Sequence, residues 1–99
     1  MKKLISILGS TGSVGMSTLK IVEKKRNYFE INLLLAKKNY SSICRQIKKF
    51  KPNYFVIIDH TTYKKIKKKF KKNKVKILNK FNSKNFKKRN DITVSAIPG

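Results

Sequence analysis

Residues 7–18 read ILGSTGSVGMST, an apolar run that breaks into glycines and hydroxyl residues and then resumes at helical spacing. Gly9, Gly12 and Gly15 form the pattern G-x-x-G-x-x-G. The stretch before them, residues 3–8 (KLISIL), is typical of a buried strand. Strand, glycine loop and helix in this order are the setting in which such a loop binds phosphate groups.

Each glycine has a separate role in a loop of this kind. The first permits a sharp turn out of the strand, the second lets a ligand approach the backbone, and the third lets the helix pack closely. Amide groups and the dipole at the helix start favour an anion, and Ser10, Thr11 and Ser13 add hydroxyl donors. A kinase-type loop is excluded, because Met16 stands where that motif needs lysine. A purely structural turn is the alternative.

Predicted strands and helices alternate along the chain. A helix is predicted at 14–25, where Val14, Thr18, Leu19 and Val22 share helical spacing, and further strands at 29–36, 54–58, 75–78 and 92–96. A second helix, capped by Asn39 or Ser41, carries the apolar stripe Tyr40, Ile43, Cys44, Ile47 and Phe50; a third, capped by Thr61 or Thr62, carries Tyr63, Ile66 and Phe70; residues 80–89 form a loop or short helix. The pattern predicts an α/β fold: a Rossmann-like, three-layer parallel sheet with helices on both faces, incomplete at its C-terminal end.

The residues after the second predicted strand bear on the choice of dinucleotide. NAD-preferring folds place an acidic residue there to bind the ribose 2′-hydroxyl. This chain has Ala36, Lys37, Lys38 and Asn39 instead. Cations and an amide suit a 2′-phosphate better than a diol. The sequence therefore favours NADP over NAD.

The net charge of +22 results from 26 lysines and arginines against four acids. Such an excess attracts any polyanion, nucleic acid included. Only Arg26, Arg45 and Arg89 are arginines, and the chain is also rich in asparagine and isoleucine. Lysine, asparagine and isoleucine are the residues that an A/T-rich coding sequence favours, so mutational bias is an alternative cause of the charge.

Residues suited to catalysis are few and scattered. Cys44 falls on a predicted apolar helix face and indicates a core thiol in a reducing compartment. His60 is the sole histidine, and we expect a surface turn residue there. No nucleophile–base pair or metal-ligand cluster can be assembled. Nor does any segment reach the length of a membrane span, so we expect a cytoplasmic protein without a membrane partner.

The glycine stretch 7–15, followed by 17–19 (STL), resembles the start of the 1-deoxy-D-xylulose 5-phosphate reductoisomerase family. The likeness continues at family-like spacing through the rest of the chain, although it is diffuse between residues 60 and 90. It includes Phe29, residues 34–36 (LLA), Lys38, Asn39, Gln46, Phe50, Pro52 and residues 95–99 (SAIPG). The first motif together with the Lys-Asn pair is specific, whereas the glycines alone are not.

The resemblance implies an NADPH-dependent enzyme of the non-mevalonate isoprenoid pathway. The family rearranges 1-deoxy-D-xylulose 5-phosphate and reduces it to 2-C-methyl-D-erythritol 4-phosphate, aided by a divalent metal such as Mg or Mn. Residue by residue, it implies that Thr11, Gly12, Ser13 and Val14 line the NADPH phosphates. Lys38 and Asn39 then meet the adenosine 2′-phosphate. Lys37 departs from the family, which has glycine there, and either adds charge at that phosphate or crowds it.

Length is the larger departure from the family. Its metal-binding acids, substrate-phosphate ligands and C-terminal helical domain would lie beyond residue 99. We therefore interpret residues 1–99 as one truncated NADPH-binding domain, without catalytic or metal-binding residues and inactive by itself. The family also implies a homodimer.

Two hypotheses compete with that of an NADPH-binding domain. The first is a small basic βαβ module that binds nucleic acid, supported by the charge and by the aromatic residues among the lysines. It is disfavoured because no nucleic-acid motif is present and arginine is scarce. The second is an inert remnant that barely folds, since half of a parallel sheet leaves an apolar edge uncovered.

Overall fold

The computed structural model describes residues 2–81 and 90–96. Strands and helices alternate over residues 3–78. In chain order the elements are β1 (Lys3–Leu8), α1 (Ser13–Lys24), β2 (Phe29–Ala36), α2 (Tyr40–Phe50), β3 (Tyr54–Ile57), α3 (His60–Lys69), β4 (Lys76–Leu78) and β5 (Ile92–Ser95). Every predicted strand and helix within the described residues is present, with bounds that differ by a few residues at most.

The five strands form one parallel sheet in the order β4-β3-β2-β1-β5. This confirms the α/β class and the parallel sheet. From β1 the chain builds the sheet in one direction as far as β4, and β5 then pairs on the free side of β1. The strand order therefore reverses at β1. Ligands of open parallel sheets bind at the carboxyl ends of the strands beside such a reversal, which is where the glycine loop leaves β1.

The main core lies between the sheet and the three described helices. Side chains of all three helices and of β1 to β4 join one hydrophobic cluster. Its fully buried members include Ile7, Phe55 and Ile57 from strands and Ile43, Ile47 and Ile66 from helices. Crossovers of one hand that all step in the same direction place their helices on the same face of the sheet.

A smaller cluster lies apart from the main core. Its buried members are Leu33, Leu35 and Val56, and Leu8, Tyr54 and Leu78 pack against it. The sequence predicts a loop or short helix at residues 80–89. Of that segment, residues 82–89 lie outside the described part of the chain.

The predicted N-terminal cap is correct for α2 and wrong for α3. Asn39, one of two alternatives, caps α2, and its side chain accepts from the Ser42 N–H at 3.2 Å. The cap predicted for α3 at Thr61 or Thr62 is wrong. Asp59 occupies that position, and its carboxylate accepts from Thr62 N at 3.0 Å and from Thr62 Oγ1 at 2.7 Å. Thr62 is thus a buried first-turn partner of the cap.

The helical spacing of Val14 predicts that it belongs to the buried face of α1, and this prediction is wrong. Its side chain is 58% exposed. The helix begins at Ser13, next to the carboxyl edge of the sheet, and the buried contacts are made by Gly15, Leu19 and Val22. The first turn of α1 therefore projects beyond the core and stands beside the loop.

A buried asparagine interrupts β2. Ile5 pairs with Ile31, whereas Ser6 pairs with Leu33, so Asn32 is an extra residue, a β-bulge. The Asn32 side chain is 3% exposed. It accepts from Asn53 Nδ2 at 3.2 Å and donates to Asn90 Oδ1 at 3.4 Å. The bulge shifts the alternation of β2, and the polar contacts join β2 to residues beside β3 and β5.

Candidate functional site

The glycine loop is fastened to the end of the neighbouring strand. Gly9 has a φ of 93°, which suits glycine and turns the chain sharply out of β1. The N–H groups of Gly9 and Ser10 both donate to the Leu35 carbonyl, at 2.7 and 2.9 Å. The loop is therefore held over the carboxyl ends of β1 and β2.

Close approach between α1 and the loop depends on Gly15. A Cβ at this position would overlap the Gly9 carbonyl oxygen and lie 2.8 Å from Ser10 Cα. Gly12 is different, because a Cβ there would meet only the Gly9 oxygen, at 3.7 Å. Within this chain Gly15 is thus a packing requirement. Gly12 has room for a side chain and leaves the backbone open to a ligand.

The N-terminus of α1 presents unused backbone donors. Its cap, Gly12, makes no side-chain hydrogen bond, and the first turn has no acidic residue. The first N–H bonded within this turn is that of Met16, which donates to the Gly12 carbonyl at 2.9 Å. Within residues 2–81 and 90–96, the N–H groups of Ser13 and Val14 have no acceptor. Such groups, with the helix dipole, favour an anion at this end of the helix.

Lys37, Lys38 and Asn39 follow β2 and are exposed. The segment is tied to the turn after β3, because the Asp59 N–H donates to the Lys37 carbonyl at 2.9 Å. Asn39 uses its side-chain oxygen to cap α2, which fixes the place of its side chain. Two cations and an ordered amide therefore stand at the end of the strand next to the glycine loop.

Asp59 lies close to this cationic segment. Donation from the Thr62 hydroxyl and then from the Thr62 N–H holds the pKa of its carboxyl below the ordinary value. The charges of Lys38 and His60 lower that pKa further, while burial opposes them. The Asp59 carboxylate is therefore ionised at neutral pH and serves the α3 cap. It also places one negative charge within electrostatic range of Lys38.

Both predicted groups of cofactor residues thus meet at the same edge of the sheet. Thr11, Gly12, Ser13 and Val14 occupy the loop after β1 and the start of α1, and Lys37, Lys38 and Asn39 follow the adjacent strand β2. The Leu35 carbonyl connects the two, because it holds the loop from the end of β2. Their contact with a dinucleotide stays a prediction.

Gln46 is a further site residue to which the sequence pattern assigned no role. It lies on the buried side of α2, and its Nε2 donates to the Ser10 carbonyl at 2.9 Å. A polar side chain next to the apolar stripe of α2 is the signal that could have marked it.

His60 is exposed, as expected, but it is the first residue of α3. Its Nδ1 lies 3.3 Å from Asn79 Oδ1. Cys44 is buried, as predicted for a core thiol.

The groups described at this edge are hydrogen-bond donors and cations, which suit the binding of an anion. In the part of the chain that the structure describes, no three His, Cys, Asp or Glu side chains form a group that could hold a metal ion. The open backbone at Gly12, the unused N–H groups of α1 and the cations after β2 fit a dinucleotide phosphate. None of the helices in residues 2–81 and 90–96 has the length and apolar character needed to cross a bilayer.

Comparison with known proteins points to one family. The sequence model described as 1-deoxy-D-xylulose 5-phosphate reductoisomerase matches residues 5–99. A protein of that name from Pelagibacter ubique (strain HTCC1062) is 40% identical over 103 aligned positions, which cover 100% of this chain and 26% of the relative. Another, from Clostridium novyi (strain NT), is 43% identical over 75 positions, covering 76% of this chain and 20% of the relative. The chain spans about a quarter of the length of such relatives.

Solved structures agree with the sequence relatives. The Zymomonas mobilis reductoisomerase in complex with NADPH superposes with a TM-score of 0.73 at 26% identity, covering 79% of this chain and 21% of that one. A reductoisomerase in complex with NADPH, fosmidomycin and magnesium gives a TM-score of 0.82 over 96% of this chain and 24% of that one. At 24% identity, the second likeness concerns the fold alone.

The two loop glycines should respond differently to the same substitution. We expect Gly15→Ala to lower the free energy of unfolding by about 1–3 kcal/mol or more, because the added methyl group meets backbone that cannot move aside. Gly12→Ala should change stability by less than about 1 kcal/mol, because the methyl group has space. Urea titration followed by circular dichroism measures both. Equal losses for the two variants would contradict the packing role of Gly15.

The Asp59 cap should make the start of α3 sensitive to acid. The folded-state pKa is depressed, so the stability from the charged cap is present above the unfolded-state pKa of about 3.9 and is lost as pH falls through the folded value. We expect the Thr62 amide to lose protection from hydrogen exchange over that range. Asp59→Asn keeps a cap acceptor and should abolish this pH dependence, whereas Glu23→Gln, a carboxylate outside the cap, should not. A wild-type exchange profile in Asp59→Asn would contradict the assignment.

Proposed function

The chain belongs to the 1-deoxy-D-xylulose 5-phosphate reductoisomerase family, and on that premise we propose that residues 1–99 form its NADPH-binding domain. The observation that carries the proposal is the pairing of an anion-binding helix start with a cationic segment on the adjacent strand. The likeness to the Zymomonas mobilis enzyme in complex with NADPH supports it.

The loop after β1 would bind the pyrophosphate. Thr11, Gly12, Ser13 and Val14 supply backbone N–H groups and two hydroxyls at the start of α1. The absence of a Cβ at Gly12 lets phosphate oxygens come within hydrogen-bond distance of the backbone. Val14, whose side chain is largely exposed, would supply an apolar contact beside the phosphates.

The segment after β2 would distinguish NADPH from NADH. Lys37 and Lys38 offer two ammonium groups to the adenosine 2′-phosphate, and Asn39 offers an amide whose position is fixed by the α2 cap. The Lys37 side chain is exposed and would have room to turn toward the phosphate. Asp59 would moderate the local positive charge without reaching the phosphate itself, because its carboxylate is engaged by Thr62.

The remaining functions of the family would belong to residues outside this chain. Bound NADPH supplies a hydride for reduction of the rearranged substrate. The described part of this chain would bind and orient the cofactor; it brings together no group of three or more His, Cys, Asp or Glu side chains for a divalent metal. Within the complete enzyme, the domain would act together with residues that bind the substrate, 1-deoxy-D-xylulose 5-phosphate, and a Mg or Mn ion. The complete enzyme would be a homodimer.

NADPH should bind the chain saturably and more tightly than NADH. We expect Lys38→Ala to weaken NADPH binding by about 10-fold or more, the loss typical of one charge-assisted hydrogen bond, and to leave NADH binding nearly unchanged. Fluorescence titration of both nucleotides measures this. Lys48→Ala is the matched control: it removes the same charge from α2, in its last turn and far from Asn39. An equal loss in both lysine variants would mean that net charge, not position, sets the affinity.

A titration with duplex DNA tests nucleic acid as an alternative ligand. Duplex DNA should bind weakly, with an affinity that falls steeply with salt, because only the diffuse lysine charge attracts it. NADPH binding should depend on the 2′-phosphate and decline less with salt. Tight DNA binding without measurable NADPH binding would refute the proposed function and favour a basic nucleic-acid module.

The chain by itself should not turn over substrate. We expect no oxidation of NADPH when it is mixed with 1-deoxy-D-xylulose 5-phosphate and Mg²⁺, because no described residues supply the metal site. The absorbance of NADPH at its near-ultraviolet band measures this, with a full-length family member as the positive control. Detectable product would show that the catalytic groups lie within these 99 residues.

A further inference from the structure

Gln46 links α2 to the phosphate loop through a buried hydrogen bond. Its side chain is 6% exposed, and its Nε2 donates to the Ser10 carbonyl at 2.9 Å. Ser10 is fully buried, so little water competes for this carbonyl. The contact joins residues 36 positions apart, on α2 and on the loop that leaves β1.

The bond fixes one peptide plane of the loop. The Ser10 N–H donates to the Leu35 carbonyl at 2.9 Å, while the Ser10 carbonyl is held by Gln46. The described residues contain no cis peptide, so the Thr11 N–H points opposite to the Ser10 carbonyl. Within residues 2–81 and 90–96, that N–H has no acceptor. Gln46 draws one end of the peptide inward and thereby turns its donor away from α2.

We propose that Gln46 is a positioning residue for the cofactor phosphates, acting by orienting the Thr11 N–H toward them. The inference deepens the proposed function and rests on it. Gln46 touches the backbone of the loop, and its effect on the cofactor passes through Thr11. The residue type matters, because an aliphatic side chain would fill the site but leave the Ser10 carbonyl without its donor.

The rest of the glutamine supports a role other than packing. Its Oε1 is buried and has no hydrogen-bond partner among the described residues. Burial of an unpaired amide oxygen opposes folding, so an apolar residue would suit the interior of α2 better. The polar residue is therefore explained by what its Nε2 does for the loop. The helix that carries it is capped by Asn39, so α2 would connect the pyrophosphate end of the proposed site to the 2′-phosphate end.

Substitution of Gln46, with Ile47→Val as control, tests the proposal. Gln46→Leu should weaken NADPH binding by about 10-fold, the loss of one oriented hydrogen bond. It should leave adenosine 2′-monophosphate, which lacks the pyrophosphate, unchanged. Ile47→Val removes one buried methyl group from the next position of α2 and should affect neither ligand. Unfolding by urea confirms that each variant is folded at the assay temperature.

Gln46→Glu supplies a readout that a structural role would not move. An ionised glutamate repels the Ser10 carbonyl, whereas a protonated one can donate to it. We expect the NADPH affinity of this variant, relative to wild type, to recover as pH falls. A constant ratio across pH would contradict the proposal. So would loss of adenosine 2′-monophosphate binding in parallel with NADPH.

Hydrogen exchange separates failure of this inference from failure of the proposed function. In the free chain, the Gly9 and Ser10 amides bonded to Leu35 should exchange faster in Gln46→Leu than in wild type or Ile47→Val. If wild type binds no NADPH, the proposed function fails, and the exchange rates still decide whether Gln46 holds the loop. Wild-type exchange and wild-type NADPH affinity in Gln46→Leu would overturn the inference. If Gln46→Leu does not fold, Gln46→Glu at low and neutral pH decides it.

Discussion

The approach of α1 to the end of β1 is the constraint on which the site depends. It requires that position 15 carry no Cβ, because the Gly9 carbonyl oxygen and Ser10 Cα occupy that space. With the helix so close, its first turn lies beyond the core, and its unused N–H groups open on the carboxyl edge of the sheet. The strand order reverses at the same strand, so the loop is not covered by a neighbouring crossover on both sides.

Much of this arrangement could be predicted because its causes are local in sequence. The apolar run of β1, the glycines after it and the helical spacing beyond them lie within 22 consecutive residues, 3–24, and each has a direct steric or hydrophobic meaning. β2 and β3 could be predicted for the same reason, since FEINLLLA is largely apolar and YFVI is an apolar run, as suits strands of a parallel sheet. The position of Lys38 after β2 followed from the end of that strand.

The features that escaped prediction depend on partners distant in sequence. Asn32 stands within an apolar strand, and only the pairing of β1 with β2 makes it a bulge. Asp59 and the two threonines of α3 are all acceptable caps, and in the folded chain the helix begins directly after the aspartate, at His60. Gln46 acquires a role only once α2 lies against the loop. In each case a polar residue has several feasible partners, and tertiary structure chooses among them.

The distribution of charge is compatible with the specific anion site that we propose, even in so basic a chain. All three helices run from the carboxyl edge of the sheet toward its amino edge, and none has an acidic side chain in its first turn. Each has lysine in its last turn, where the dipole favours cations. Several of these lysines also lie over aromatic rings, as Lys49 does at Phe50 and Lys69 at Phe70. Much of the lysine charge therefore belongs to the opposite edge, where it attracts polyanions diffusely. The unused N–H groups of α1 open at the carboxyl edge, and in the function that we propose, selectivity for a phosphate group follows from the geometry of these donors.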